Sequence, residues 1–126
     1  MGLSFNHNRC RLYTDFYNSD IIIASPMALR QLEAKRGYDY LSSIEIALVY
    51  GIDMICMQNA EHLRGVLEGL NRTINRDRNT DFSRLREYYL TDMQKYMRQT
   101  IFVGKNLNST ILGLFHRCCF NPIVCL

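Results

Sequence analysis

The sequence predicts an α/β fold, a short parallel sheet of about three strands flanked by helices. Three observations carry that expectation. Three brief apolar runs, 20–25 (DIIIAS), 44–49 (IEIALV) and 99–103 (QTIFV), have strand length and are rich in β-branched residues or end at a breaker. Each is followed by a segment with helical spacing of its apolar residues, and strands alternating with helices pair in parallel through right-handed crossovers. The runs are also nearly continuous in hydrophobicity, as strands covered on both faces are.

Taken in order, the first run leads into SPMALRQLEAKRG. Ser25 stands at a helix cap, Pro26 at the first helical position and Gly37 at the end. The second leads into 53–71, where Met54, Met57, Leu63, Val66, Leu67 and Leu70 form an apolar stripe. A polar stretch, NRTINRDRNTD, reads as an exposed loop. After it, Phe82, Leu85, Tyr89, Met93 and Tyr96 mark one or two amphipathic helices with Arg84, Arg86, Lys95 and Arg98 on their outer faces. The third run leads into NLNSTILGLFHRC, with Leu107, Ile111, Leu114 and Phe115 on one helical face.

A length of 126 residues suits one small domain, 1–126. The 48% apolar share supports a modest core and argues against global disorder. A net charge of +3, dispersed along the chain, permits contact with RNA or acidic partners without requiring it. No stretch has signal-peptide or membrane-spanning character, position six is Asn6 rather than the Ser or Thr of a myristoylation signal, and Cys125 is misplaced for prenylation. The expectation is an intracellular chain with no membrane partner, so the sequons at Asn71 and Asn108 read as chance.

Five cysteines without framework spacing disfavour a disulfide scaffold. His116, Cys118, Cys119 and Cys125 are metal-ligand types, but they lack a C-x2-C knuckle, and plain reduced thiols are the simpler reading. Met54, Met57, Met93 and Met97 read as gap-filling core. Tyr88, Tyr89 and Tyr96 alternate with arginines, a pattern that suits stacking on RNA bases and suits buried aromatics beside solvated arginines equally.

Phosphate-cleaving α/β domains need a glycine-rich loop with a Lys, and an acid at a strand end for Mg²⁺. No G-x-x-x-x-G-K-[ST] occurs. Gly104-Lys105 is followed by Asn106, and Gly65 and Gly69 fall inside a helical pattern. There is no G-x-S-x-G either, and a Cys–His pair could arise only through the fold. Neither a cofactor nor a metal is expected.

The blocks RLYTDFYNSDIIIASPMALR, DYLSSIEIALVYGIDMICMQNAEHL and DFSRLREYYLTDMQKYMRQTIF resemble, in order and spacing, the digestive organ expansion factor family, also called U3 small nucleolar RNA-associated protein 25. The resemblance covers about residues 11–116. It implies a degenerate DEAD-box-like RecA fold (P-loop NTPase-like), present here in part, with a nuclear, nucleolar location and a place in the small-subunit processome during 18S rRNA maturation. By that resemblance ASPMAL, with Ser25 and Pro26, matches a block that contacts an RNA backbone. YGID, at the end of the second run, falls on the DEAD block, and FVGK on the Ser-Ala-Thr block. Tyr50 then stands where the metal-binding Asp is expected and Gly51 where the catalytic Glu is expected, leaving Asp53 as the remaining acid. A phenol with a pKa near 10 does not hold Mg²⁺ at neutral pH as a carboxylate does.

The expected function is that of a non-enzymatic, pseudo-helicase-like ribosome biogenesis factor. Its partners would be small-subunit processome proteins, pre-rRNA or small nucleolar RNA, and its RNA-facing residues Ser25, Pro26, Arg84, Arg86, Lys95 and Arg98. The alternatives are a partial family copy without activity of its own and, last, a small thiol or nucleotide enzyme.

Overall fold

The structure is a computed structural model that describes residues 1–37, 39–73 and 93–120. It opens with a hairpin that the sequence did not announce. β1 (Gly2–Asn6) and β2 (Arg9–Thr14) pair antiparallel and turn at His7-Asn8, where the His7 N–H donates to Asn6 Oδ1 at 3.0 Å. The turn lacks the glycine that marks most two-residue hairpin loops, and β2 is largely exposed, so neither turn chemistry nor apolar alternation signals it.

This hairpin claims the first apolar run. β3 (Ile21–Ile22) pairs antiparallel with Gly2 and Leu3 of β1, giving a three-stranded sheet in the order β2-β1-β3. The Met1 ammonium donates to Ile23 O at 2.7 Å, and the Asp20 N–H donates to Leu3 O at 2.8 Å. The expected parallel sheet of three strands is therefore not what the described residues form. Among them the parallel sheet has two strands, β4 (Ile46–Tyr50) and β5 (Gln99–Val103), in the register Ile46↔Gln99 to Tyr50↔Val103.

The helices follow the sequence more closely. α1 (Pro26–Arg36) starts after Ser25, whose hydroxyl accepts from the Ala28 N–H at 3.3 Å, and ends where the Gly37 N–H donates to Glu33 O. α2 (Ile52–Gly69) breaks at Asn59, whose backbone is extended and whose Oδ1 restarts the helix by accepting from the Glu61 N–H at 3.0 Å. A single turn, α3 (Gln94–Met97), precedes β5. α4 (Ser109–Cys118) is capped by Asn108, whose Oδ1 accepts from the Ile111 N–H at 2.8 Å. Within 82–98, Phe82, Arg84, Leu85, Arg86, Tyr88 and Tyr89 lie outside the described residues.

The core forms where α2 and α4 meet. Leu63, Val66, Leu67 and Leu70 recur at helical spacing on α2 and just past its end, and Ile111, Leu114 and Cys118 do so on α4. Ala47, Val49 and Phe102 pack against this cluster from the sheet, and Tyr40 joins it with its ring stacked on Phe16 at 5.4 Å. The other sheet face carries Ile46, Leu48 and Tyr50 beside Ile101 and Val103, all exposed. Two-sided cover, expected from the unbroken apolar runs, is thus absent among the described residues.

Three sequence expectations need correction here. Met54, Met57, Met93 and Met97 are exposed rather than core. On α2 the inward positions before the break are taken by Ile52, Ile55 and Cys56, which turns both methionines outward. Leu107 is exposed too, because it precedes the α4 cap. Arg98, expected on an outer helix face, is 3% exposed. It lies past the end of α3, at the turn into β5, and points into the protein.

There Arg98 binds neutral acceptors from three directions. Nε donates to Thr100 Oγ1 (3.2 Å), Nη1 to Leu67 O (3.4 Å) and Asn71 Oδ1 (3.2 Å), and Nη2 to Cys118 O (3.1 Å). Asn71 adopts a left-handed conformation (φ 57°) that Asn tolerates, and its Nδ2 donates to Ile44 O at 2.8 Å. Its side chain is buried, which closes the first sequon to glycosylation in the folded chain.

Ile111→Ala is expected to lower the unfolding free energy by about 2–5 kcal/mol, since Ile111 is among the most completely buried side chains. Leu48→Lys on the open sheet face should stay within about 0.5 kcal/mol of the native chain while raising solubility. Urea titration and light scattering of the two variants check the pair.

Candidate functional site

In a parallel α/β sheet, chemistry sits beyond the carboxyl ends of the strands. Here those ends are Tyr50 of β4 and Val103 of β5, side by side in the register. After Tyr50 the chain must turn at once into α2. Gly51 makes the turn with φ 68° and ψ 42°, a left-handed conformation that favours glycine. Ile52 then plugs into the core at 1% exposure, and Asp53 falls in the first helical turn, where the helix dipole favours a carboxylate.

The turn after β5 closes onto this helix start. Asp53 Oδ2 accepts from the Lys105 N–H at 3.2 Å. A Cβ on Gly104 would come within 2.8 Å of Ile52 Cγ2 and 3.3 Å of Asp53 Oδ1, so the approach needs a residue without a side chain. YGID and FVGK, separated by about fifty positions in sequence, form one joint. Asp53 is the acid of this joint, and it holds a backbone N–H. Tyr50 is 80% exposed on the open sheet face, so its ring is neither a ligand in a pocket nor a packing residue of the core. Among the described residues no group of three His, Cys, Asp or Glu side chains could hold a metal ion.

The remaining sequence candidates scatter. Ser25 is exposed and caps α1, with the half-buried Pro26 at the next position. Arg84 and Arg86 lie outside the described residues. Lys95 is exposed, while Arg98, buried, lines the same cleft as Lys95. Sequence reasoning missed Asn71, Arg72 and Arg117, which line that cleft as well. In sequence, Asn71 and Arg72 read as the start of a sequon and a loop, and Arg117 as a residue of a helix end. No local signal links the three.

The thiols also take definite places. Cys10 is exposed and Cys56 half-buried, whereas Cys118 and Cys119 are buried; Cys125 lies outside the described residues. Burial pushes the Cys118 and Cys119 thiols up, with Glu68 reinforcing the shift at Cys118, and the partial offset from Arg98 does not reverse it. A nucleophilic cysteine needs the opposite shift.

Comparison with known proteins gives a consistent picture. A family model described as the UTP25, NTP hydrolase-like domain matches residues 1–123. U3 small nucleolar RNA-associated protein 25 of Schizosaccharomyces japonicus is 44% identical over 121 residues, 92% of this chain and 19% of the relative. The homologues of that protein in Xenopus tropicalis and Homo sapiens are 39% and 37% identical over 126 residues, 96% of this chain and 16% and 17% of theirs. The chain therefore spans less than a fifth of the length of these relatives, 19% at most. No solved structure matches.

Gly104→Val is expected to cost about 1–3 kcal/mol in urea unfolding, because the added carbons collide with Ile52. A second expectation concerns pH. The unfolded chain releases its thiol protons near the ordinary value of 9.0, while folded Cys118 and Cys119 hold theirs to higher pH. Their contribution to stability is complete below pH 9.0 and is lost as pH rises through the folded values. The urea midpoint should therefore fall on the alkaline side of pH 9.0, and a thiol reagent at neutral pH should label Cys10 well before Cys118 or Cys119.

Proposed function

Because the chain belongs to the U3 small nucleolar RNA-associated protein 25 family, we propose that it serves ribosome biogenesis by binding and without turning over nucleotide. In this reading it is a pseudo-helicase-like piece of a partial RecA-like domain, 1–126. It docks in the nucleolus on small-subunit processome proteins, and on pre-rRNA or small nucleolar RNA, during maturation of 18S rRNA. Ser25 and Pro26 at the start of α1 are its proposed RNA-backbone contacts, with Lys95 as part of a basic surface.

One observation carries the non-enzymatic half of the proposal. At the strand end where an NTP hydrolase needs two acids, one for a metal and one for water, Tyr50 and Gly51 stand instead, and Asp53 accepts a backbone N–H from Lys105. The raised thiols of Cys118 and Cys119 speak in the same direction against a thiol enzyme.

A second reading is favoured by the open apolar face of β4 and β5 among the described residues: a family copy with no activity of its own. Affinity capture of the tagged chain from nuclear extract separates the two. Recovery of processome proteins with pre-18S RNA is expected from the first, and recovery of chaperones alone from the second. In parallel, purified chain with Mg²⁺ and ATP should release no phosphate above background. Hydrolysis abolished by Asp53→Asn would overturn the non-enzymatic reading.

A further inference from the structure

The end of α2 away from Asp53 holds a feature that the strand-end joint does not use. A cleft of about 520 Å³ is lined there by Asn71, Arg72, Lys95, Arg98, Arg117 and Phe120, with Glu68 as the carboxylate among the described lining residues. Among the described lining residues, Lys95, Arg98 and Arg117 bring three cations to the cleft beside Arg72 and Glu68. Neither Lys95 nor Arg117 makes an ion pair within 4.0 Å among the described residues.

Arg98 makes this cleft more than a patch of surface charge. Its guanidinium is buried, yet Thr100 Oγ1, Leu67 O, Asn71 Oδ1 and Cys118 O are all neutral acceptors. A buried charge normally carries a counter-charge, and none of these supplies one. The group also has one N–H more than these four bonds use. Burial pulls its pKa below the ordinary Arg value, with Cys119 and Cys118 acting in the other direction, and no carboxylate is among the causes. An anion in the cleft would supply the missing charge.

The lip of the cleft narrows the class of anion. The Lys95 ammonium lies 5.1 Å from the Tyr96 ring centre and 5.7 Å from that of Phe120, and the two rings meet edge to face at 5.2 Å. Cations interleaved with aromatic rings suit a group that joins a charged ester to a flat base. The volume also exceeds what a bare phosphate or carboxylate would fill.

We propose that this cleft binds the phosphate group of a ribonucleotide, with Arg98 as its buried positive floor, Arg117 and Lys95 neutralising the phosphate, and Phe120 available to the base. The proposal rests on the RNA-contact part of the function given above. It gives the Lys95 part of that contact a cleft at the end of α2 away from Asp53, one that Ser25 and Pro26 do not line.

The test is fluorescence anisotropy of the purified 126-residue chain with a labelled single-stranded oligoadenylate of about 10 nucleotides, within the span that one small domain covers. The Lys95→Gln, Arg117→Gln double variant should bind about tenfold or more weakly, and its salt dependence should be shallower by about 1.4, since each phosphate left unneutralised on a single strand removes about 0.7. Its circular dichroism and melting should match the native chain, since neither residue makes an ion pair among those described. Lys105→Gln, at the strand-end joint, should bind as the native chain does. Displacement of the probe by adenosine monophosphate would show that one nucleotide suffices, and displacement only by longer strands would show that the cleft reads a chain; both support the proposal. Absence of binding, a double variant within about twofold of native, or an acidic peptide displacing the probe at lower concentration than the nucleotide would each overturn it. Failure here with processome capture intact sinks the cleft alone, and failure of capture with oligonucleotide binding intact sinks the assembly role alone.

Discussion

Arg98 ties together the parts of the structure that sequence keeps apart. Its four hydrogen bonds reach the end of α2 through Leu67 and Asn71, the sheet through Thr100, and the end of α4 through Cys118. Removing a guanidinium from water costs several kcal/mol, which neutral acceptors only partly offset. The surroundings are therefore built to hold it. Asn71 takes a left-handed backbone so that one face of its amide accepts from Arg98 while the other donates to Ile44 O. The link from Ile44 leads directly into β4, so the same network fixes where the parallel pair begins. A leucine at position 98 would leave the acceptors of two helix ends unpaired.

At the other end of α2 the constraint is steric. Gly104 lets the turn after β5 come against Ile52, and Asp53 secures that approach through the Lys105 N–H. A strand end that could present acids to a nucleotide acts here as a structural clasp. Asp53 has a backbone partner there, while the Tyr50 phenol projects from the open sheet face, exposed among the described residues.

That open face shows a tension between local and global preference. Ile46, Leu48, Ile101 and Val103 have the composition of a strand pair covered on both sides, and the described residues cover one side. The N-terminal hairpin contributes to this by pairing with Ile21 and Ile22, so the first apolar run joins an antiparallel sheet. An apolar run of that length suits either environment. Its partner was decided by the backbone of Gly2 and Leu3, and hydrophobicity carries no information about that choice.

By itself the sequence determined the elements whose signals are local. The Ser25-Pro26 start and Gly37 end of α1, the apolar runs at 44–49 and 99–103 that hold most of β4 and all of β5, and the inward positions Leu63 to Leu70 of α2 and Ile111 and Leu114 of α4 follow from residue types and short spacings, whereas the break at Asn59 and the start of α4 after Asn108 do not. The motifs also sufficed to indicate the family. Tertiary structure alone decided which strands pair, which of Ile55 or Met54 turns inward, and that Arg98 is buried while Lys95 is not. It also brought Arg72 and Arg117 to one cleft. The physical reason is common to all of these. An arginine beside a helix reads as solvated until carbonyl oxygens from two other elements are placed around it, and those positions are fixed by chain folding over separations of 20 to 31 residues.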